Sequence, residues 1–251
     1  MNKHYFTLLL FCILQINLVT TSAQLYWSES FGSYTDGQNI DALNGWNYQD
    51  PTQNGYQTKT AIPLTYGDLV SDGTYFTGGS SYITAGVAIP VTGAFQDAYA
   101  SDGNTLVAGY KTGGKNELWY SMLIRSDQVY DAQFGFHEKW PWYLNGSKLQ
   151  VSRDNTGLWS IVVDDKAYSS GVTVARGVTA LVVCKINFAT DGTTLTLFVN
   201  PTLGTTPTGG VSAKSAAVQN INAIGYYLGG SPGNYRISPA AAACCLPPRW
   251  W

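Results

Sequence analysis

Thr179 to Gly204 reads TALVVCKINFATDGTTLTLFVNPTLG, and this stretch decides the fold. Val182, Cys184, Ile186 and Phe188 alternate with Leu181, Val183, Lys185 and Asn187. Strand side chains point to opposite faces with period two, so one face here is the more apolar. Ala189-Thr190-Asp191-Gly192 follows, and Asp-Gly predicts a tight turn because glycine accepts positive φ. The chain returns with Leu195, Leu197 and Val199 on one face and Thr194, Thr196 and Phe198 on the other. Asn200-Pro201 ends this second strand, since proline has no amide hydrogen for a ladder. An antiparallel hairpin with one apolar face needs a second layer to cover it.

Working outward, other segments repeat the pattern. In Leu118 to Arg125, Leu118, Tyr120, Met122 and Ile124 alternate with Trp119, Ser121, Leu123 and Arg125. Gln133 to His137, Lys148 to Arg153 and Leu158 to Val163 add three more strands. Weaker ones are read at Leu25 to Phe31, Ile62 to Tyr66, Leu69 to Val70, Tyr82 to Ile89 and around Thr105 to Tyr110. No stretch combines a helical period with caps. About ten short strands separated by turns predict an all-β, two-sheet antiparallel sandwich or jelly roll. The length of 251 residues suits one large domain of this kind.

Charged residues are 12% of the chain, about half the usual ~25%. Glycine and tyrosine are abundant, at 27 and 17, which suits an extracellular β protein. The net charge of −2 argues against a nucleic-acid partner and offers no basic patch for an anionic membrane. Residues 1–23 read as a signal peptide: Lys3 and His4, an apolar run from Tyr5 to Val19, then the small-residue site Thr21-Ser22-Ala23. The run is short for a span of ~20 residues, and no later segment of the mature chain is apolar enough to cross. The mature chain is expected to start at Gln24, in the secreted space or at the cell surface. Cys12 leaves with the signal peptide, Cys184 reads as a buried free thiol, and Cys244-Cys245 are adjacent, so there is no disulfide framework.

Several segments together carry a resemblance. They are ESFGSYTDGQNIDALNGW from Glu29, ELWYSMLIRSD from Glu117, Phe134-Gly135-Phe136, and the hairpin ending LTLFVNPTLG. Over Ser28 to Ile237 they resemble secreted bacterial LamG-like, concanavalin A-like lectin/glucanase jelly rolls, often found at cell surfaces. The resemblance implies two stacked antiparallel sheets, domain bounds of 24–237, and a last strand that pairs near the first. Family members close on an acidic-aliphatic strand; here Tyr235-Arg236-Ile237 begins it and Ser238-Pro239 interrupts it. Residues 238–251 are therefore expected to form an aberrant, disordered tail that leaves the jelly roll without its last strand. A frameshift near residue 238 accounts for the change, and a natural variable tail is the alternative. Related folds hold a structural calcium between the ends. Glu29 could be one ligand, but the C-terminal partner is missing, so the sequence does not support a calcium site and leaves the metal unknown; no cofactor is expected.

Glucan-cutting enzymes on this fold resemble one another in paired carboxylates on one strand, close enough for a retaining mechanism. Glu29, Glu117 and Glu138 are the only glutamates, and none has another carboxylate two to five residues away. Asp164 and Asp165 are neighbours, would face opposite ways on a strand, and read as a solvated turn before Lys166. A Ser-His-Asp triad would have to use His137, which reads as a strand-end polar residue. A lyase-type set of His137, Tyr120 and Arg125 has no supporting spacing. The chain is accordingly expected not to be an enzyme.

Lys139 to Gly146, KWPWYLNG, is the distinctive surface stretch. Trp140, Trp142 and Tyr143 are the expected ligand-binding residues, since a pyranose stacks its apolar C–H face on a flat ring. Covering an open end of the sandwich is the alternative use of these rings. The expected function is a non-catalytic binding module for a polysaccharide or surface glycan. A glycoside hydrolase or polysaccharide lyase on the same fold, or a structural domain of a truncated surface protein, are the other readings.

Overall fold

The computed structural model describes residues 25–27, 35–39, 46–48, 57–60, 63–71, 74–77, 83–88, 99–101, 106–109, 117–127, 131–137, 147–218, 220–221, 223–228 and 235–244. They hold twenty strands and no helix. In chain order these are β1 (Leu25–Trp27), β2 (Trp46–Tyr48), β3 (Gln57–Thr60), β4 (Thr65–Tyr66), β5 (Leu69–Val70), β6 (Thr74–Thr77) and β7 (Ile83–Ala88). There follow β8 (Tyr99–Ser101), β9 (Leu106–Gly109), β10 (Glu117–Ser126), β11 (Ala132–His137), β12 (Leu149–Arg153), β13 (Leu158–Val163) and β14 (Lys166–Thr173). The last six are β15 (Thr179–Ala189), β16 (Gly192–Val199), β17 (Val211–Ser215), β18 (Asn220–Ile221), β19 (Ala223–Leu228) and β20 (Tyr235–Cys244).

Two antiparallel sheets carry the architecture. One runs β17-β16-β15-β10-β20-β6-β3, with β1 also on β20; the other runs β14-β13-β12-β11-β19-β7-β2. The hairpin β15–β16 is in register from Val182↔Val199 to Ala189↔Gly192. Its turn is Thr190-Asp191, and Gly192 opens the return strand at φ 126. A Cβ there would meet the Ser215 carbonyl oxygen at 2.1 Å, so only glycine fits.

The inward faces of the two sheets meet in one core. Tyr120, Met122 and Ile124 of β10, Cys184 and Ile186 of β15, and Leu195 of β16 face Phe134, Phe136, Val151, Trp159 and Ile161 of the other sheet. Each such side chain contributes roughly 1.5–3 kcal/mol by leaving water. Tyr120 and Tyr226 satisfy each other's hydroxyls across the two layers, the condition for burying a polar tip. Cys184 is a fully buried free thiol, as its strand position implied, and burial pushes its pKa up.

The alternation does not leave the outer face of the first sheet bare. Trp119, Leu123, Leu181, Val183 and Phe198 form a second apolar cluster there with Leu64. The small β4–β5 hairpin supplies the cover, with Tyr66 and Leu69 packed against the cluster. Leu203, in the Asn200-to-Gly204 segment, joins it and lies 2.8 Å from where a Cβ at Gly67 would be. Trp119 and Phe198 stack at 5.9 Å between ring centroids, 16° from parallel.

The C-terminus departs from expectation. β20 continues past Ile237 to Cys244, so residues 238–244 are a strand and not a disordered tail, and the sheet has its last strand. The strand pairs β10 from Ser126↔Tyr235 to Trp119↔Cys244, and on its other side pairs β6 through Ile237↔Phe76 and β1 through Trp27↔Ala242. The ladder slips between Ser121↔Ala241 and Leu123↔Ser238. That irregularity spans Pro239, which cannot donate, so the bulge is where the sheet absorbs it. Ladder hydrogen bonds come from the backbone, and neighbours on both sides can hold an alanine-rich segment extended. Residues 245–251, and the proposed signal peptide, lie outside the described residues. β1 on β20 gives the first-to-last pairing that the resemblance implied.

Candidate functional site

Strand directions sort the connections between two ends of the sandwich. His137, Lys148, the Asp164-Asp165 turn, the Thr190-Asp191 turn and Ser215 gather at one end, which also holds Glu117. The aromatic segment leaves from this end, between β11 and β12. Trp140, Trp142 and Tyr143 themselves lie outside the described residues, as do Glu29 and Glu138. The stem of that connection is described. Phe136 pairs with Leu149, and the buried Ser147 donates Oγ–H to the Phe136 carbonyl at 2.9 Å. Asp164 donates its amide to the Lys148 carbonyl at 3.0 Å, and Lys148 pairs with Asp165 at 2.6 Å.

Asp164 and Asp165 form the expected turn. Both have positive φ, 49° and 66°, which matches a two-residue type I′ connection between β13 and β14. Asp164 accepts from Ser215 Oγ at 2.8 Å, tying the turn to the opposite sheet. His137 is 6% exposed at the end of β11, and burial pushes it down to about 4, so its imidazole is neutral at ordinary pH. Tyr120 lies in the core and Arg125 at the far end, where it pairs with Asp127 at 2.6 Å. The structure therefore does not bring the lyase-type set together. Among the described residues no three His, Cys, Asp or Glu side chains could jointly hold a metal ion.

What the structure does assemble is an open polar face. The β4–β5 cover reaches Trp119 on the outer side of the eight-stranded sheet. Beyond it the rows Trp119–Lys185–Thr196–Ser212 and Glu117–Asn187–Thr194–Lys214 cross four strands in register. Glu117 is the hub of this face. Its Oε1 accepts from the Trp119 indole N–H at 2.6 Å; Oε2 accepts from Asn187 Nδ2 at 3.1 Å and pairs with Lys185 at 2.7 Å. Burial raises the Glu117 pKa, but the bonds from Lys185, Trp119 and Asn187 outweigh it and hold the carboxyl below the ordinary glutamate value. Lys185 also sits over the Trp119 ring, 5.2 Å from its centroid, a cation–π contact. Thr196 and Ser212 share a hydrogen bond of 2.8 Å at the exposed margin.

Period two at Glu117 and Trp119, at Lys185 and Asn187, and at Thr194 and Thr196 was legible in the sequence. Nothing in a single chain says that these three pairs are neighbours. Chemically the face offers a fixed carboxylate acceptor, an ammonium, a carboxamide and a rank of hydroxyls, with no proton poised for transfer.

No protein-family model matches this chain, and no curated protein matches it either. It resembles solved structures at low identity. A protein of unknown function from Shewanella oneidensis MR-1 is 14% identical over 92% of this chain and 91% of that one, with a TM-score of 0.44. Lectin II from Ulex europaeus is 12% identical over 86% and 99%, at 0.43. The catalytic domain of a GH131 β-glucanase from Podospora anserina is 13% identical over 88% and 95%, at 0.40. The fold class rests on the strands themselves: an all-β, antiparallel, two-sheet sandwich.

Proposed function

We propose that this chain is a secreted, non-catalytic binding module for a polysaccharide or surface glycan, of the LamG-like, concanavalin A-like type. The observation that carries the reading is the Glu117 cluster. A glycosidase acid must hold its proton near working pH, which takes a raised carboxyl pKa. Glu117 is held the other way by three donors. A carboxylate fixed in that manner accepts hydrogen bonds from sugar hydroxyls while its neighbours donate. The hydroxyls of Thr194, Thr196 and Ser212 extend the pattern across the sheet. Trp140, Trp142 and Tyr143, on the loop from the same end, supply the ring platform in this reading. Sugar stacking on a ring is worth at most the ~1–3 kcal/mol seen for bases, so single contacts are weak and repeats along a polymer add avidity.

The experiment is a pull-down on insoluble polysaccharides with wild type, Trp140→Ala/Trp142→Ala and Thr194→Ala/Thr196→Ala. Retention of wild type and loss in either double variant, with folding intact, supports the module. Equal retention of all three proteins on every polymer removes both surfaces from consideration.

A further inference from the structure

The other end of the sandwich holds a cleft that the open face does not use. Pairing of β16 with β17 stops at Leu197↔Val211, so Phe198 and Val199 run on past the edge strand. The connection from Asn200 to Gly210 borders that gap, and the partly open cleft there has a volume of about 250 Å³. This corresponds to roughly eight waters at ~30 Å³ each, room for one small molecule. β14 of the opposite sheet closes the near wall with Ser170 and Val172.

The connection is tied down near both of its ends. Asn200 takes a left-handed conformation, φ 52, and makes two bonds with Leu181: its amide donates to the Leu181 carbonyl at 2.8 Å, and its Oδ1 accepts from the Leu181 amide at 3.0 Å. Tyr66 donates to the Pro201 carbonyl at 3.0 Å, and Pro207 is buried. Gly210 re-enters the sheet so closely that a Cβ would lie 2.7 Å from the Leu197 carbonyl oxygen. Such ties lower the ordering cost of binding a ligand.

The lining is uncharged and mainly polar. Ser170, Thr202, Thr205, Thr206 and Thr208 bring hydroxyl-bearing side chains to it, beside Val172, Val199 and Val211. Among the described residues no Lys, Arg, His, Asp or Glu lines it, so none of them would compensate a charged ligand. A neutral pyranose is matched to such a lining, since it is uncharged, rich in hydroxyls and carries C–H groups between them. We propose that the cleft under the Asn200–Gly210 connection is a binding site for a single neutral monosaccharide unit. It stands at the opposite end from the Glu117 face, and does not rest on the polysaccharide reading.

The test uses the full chain, labelled with 15N, titrated with glucose, galactose, mannose, N-acetylglucosamine and, as a charged comparator, glucuronate. The expected result is saturable shifts of the Thr205, Thr206, Thr208 and Gly209 amides with at least one neutral sugar, at a Kd in the millimolar range of roughly 1–10 mM. Glucuronate should bind more weakly than the sugar that shifts them. Thr208→Trp, which fills the cleft, should abolish the shifts. Thr206→Val/Thr208→Val, which keeps the shape and removes hydroxyls, should weaken binding at least about fivefold, and decides the matter if Thr208→Trp does not fold. Trp140→Ala/Trp142→Ala should leave cleft binding unchanged, which separates this site from the loop. No saturable shift with any neutral sugar, an unchanged Kd in either cleft variant, or glucuronate binding as tightly as its neutral counterpart would overturn the proposal.

Discussion

The Tyr66 hydroxyl donates to the Pro201 carbonyl at 3.0 Å, joining positions 135 residues apart. One member belongs to the β4–β5 hairpin and the other to the segment that follows β16. The bond fastens the cover onto the outer face of the sheet, beside the Leu203–Gly67 contact. Tyr66→Phe removes the hydroxyl and keeps the ring. The expected loss is ~1 kcal/mol, seen as a fall in Tm of roughly 2–4 °C for a domain of this size. An unchanged Tm by differential scanning calorimetry would mean that the ring packing alone secures the cover.

Gly192→Ala should be among the most damaging small substitutions in the chain. The residue has φ 126, and a Cβ would stand 2.1 Å from the Ser215 carbonyl oxygen and 2.8 Å from Ala216 Cα. Backbone strain and the clash together should cost ~2–4 kcal/mol. Gly171→Ala is the control, with φ 70 and nothing within 4 Å of the new Cβ, and should cost only the ~1–2 kcal/mol of a left-handed alanine. Urea midpoints at constant m-value measure both, and equal losses would show that the Ser215 contact yields.

Ending the chain after Ile237 should destabilise it. Ser238–Cys244 pair β10 on one side and β1 on the other, so their removal leaves two strands with open edges. The expected loss is ~3 kcal/mol or more, a Tm lower by roughly 6–12 °C, with concentration-dependent association by light scattering. A truncated protein as stable and monomeric as the full chain would show that the β20 extension contributes nothing.

His137 should make stability depend on acid. Its folded value is about 4 against an ordinary 6.5, so below pH 6.5 the unfolded chain binds a proton that the folded chain refuses. Stability from this group is complete above pH 6.5, falls between 6.5 and 4, and changes no further below. The full difference is ~3 kcal/mol. Urea melts of wild type and His137→Gln from pH 7 to 4 should show the wild type losing the larger amount; parallel curves would remove His137 as the cause.

Hydrolysis should be absent in this reading. Reducing-end assays with laminarin, lichenan, agarose and carrageenan are expected at the blank level. Turnover that disappears in Glu117→Gln would make the face catalytic instead.

The all-β class, the β15–β16 hairpin, the strands β10 to β13, the Asp164-Asp165 turn and the burial of Cys184 were all legible in one chain. Each depends on local alternation or on a two-residue turn, and these are properties of neighbours in sequence. β14 was not legible, because at the sheet edge only Tyr168 and Val172 of KAYSSGVT turn partly toward the core, too few for a clear alternation. β20 beyond Ile237 was not legible either, since Ser-Pro-Ala-Ala carries no strand preference and is held by backbone bonds from β10 and β1. Nor could alternation tell that Leu181, Val183 and Phe198, on the second face of the hairpin, are covered by residues far earlier in the chain. The same limit applies to the site. Glu117 meets Asn187 across 70 residues, and the cleft exists because β17 stops pairing at Leu197 and the connection from Asn200 folds back. Sequence period states which side a residue takes on its own strand. Only the tertiary structure, through hydrogen-bonded register between distant segments, decides which residues share that side and which part of it stays open to a ligand.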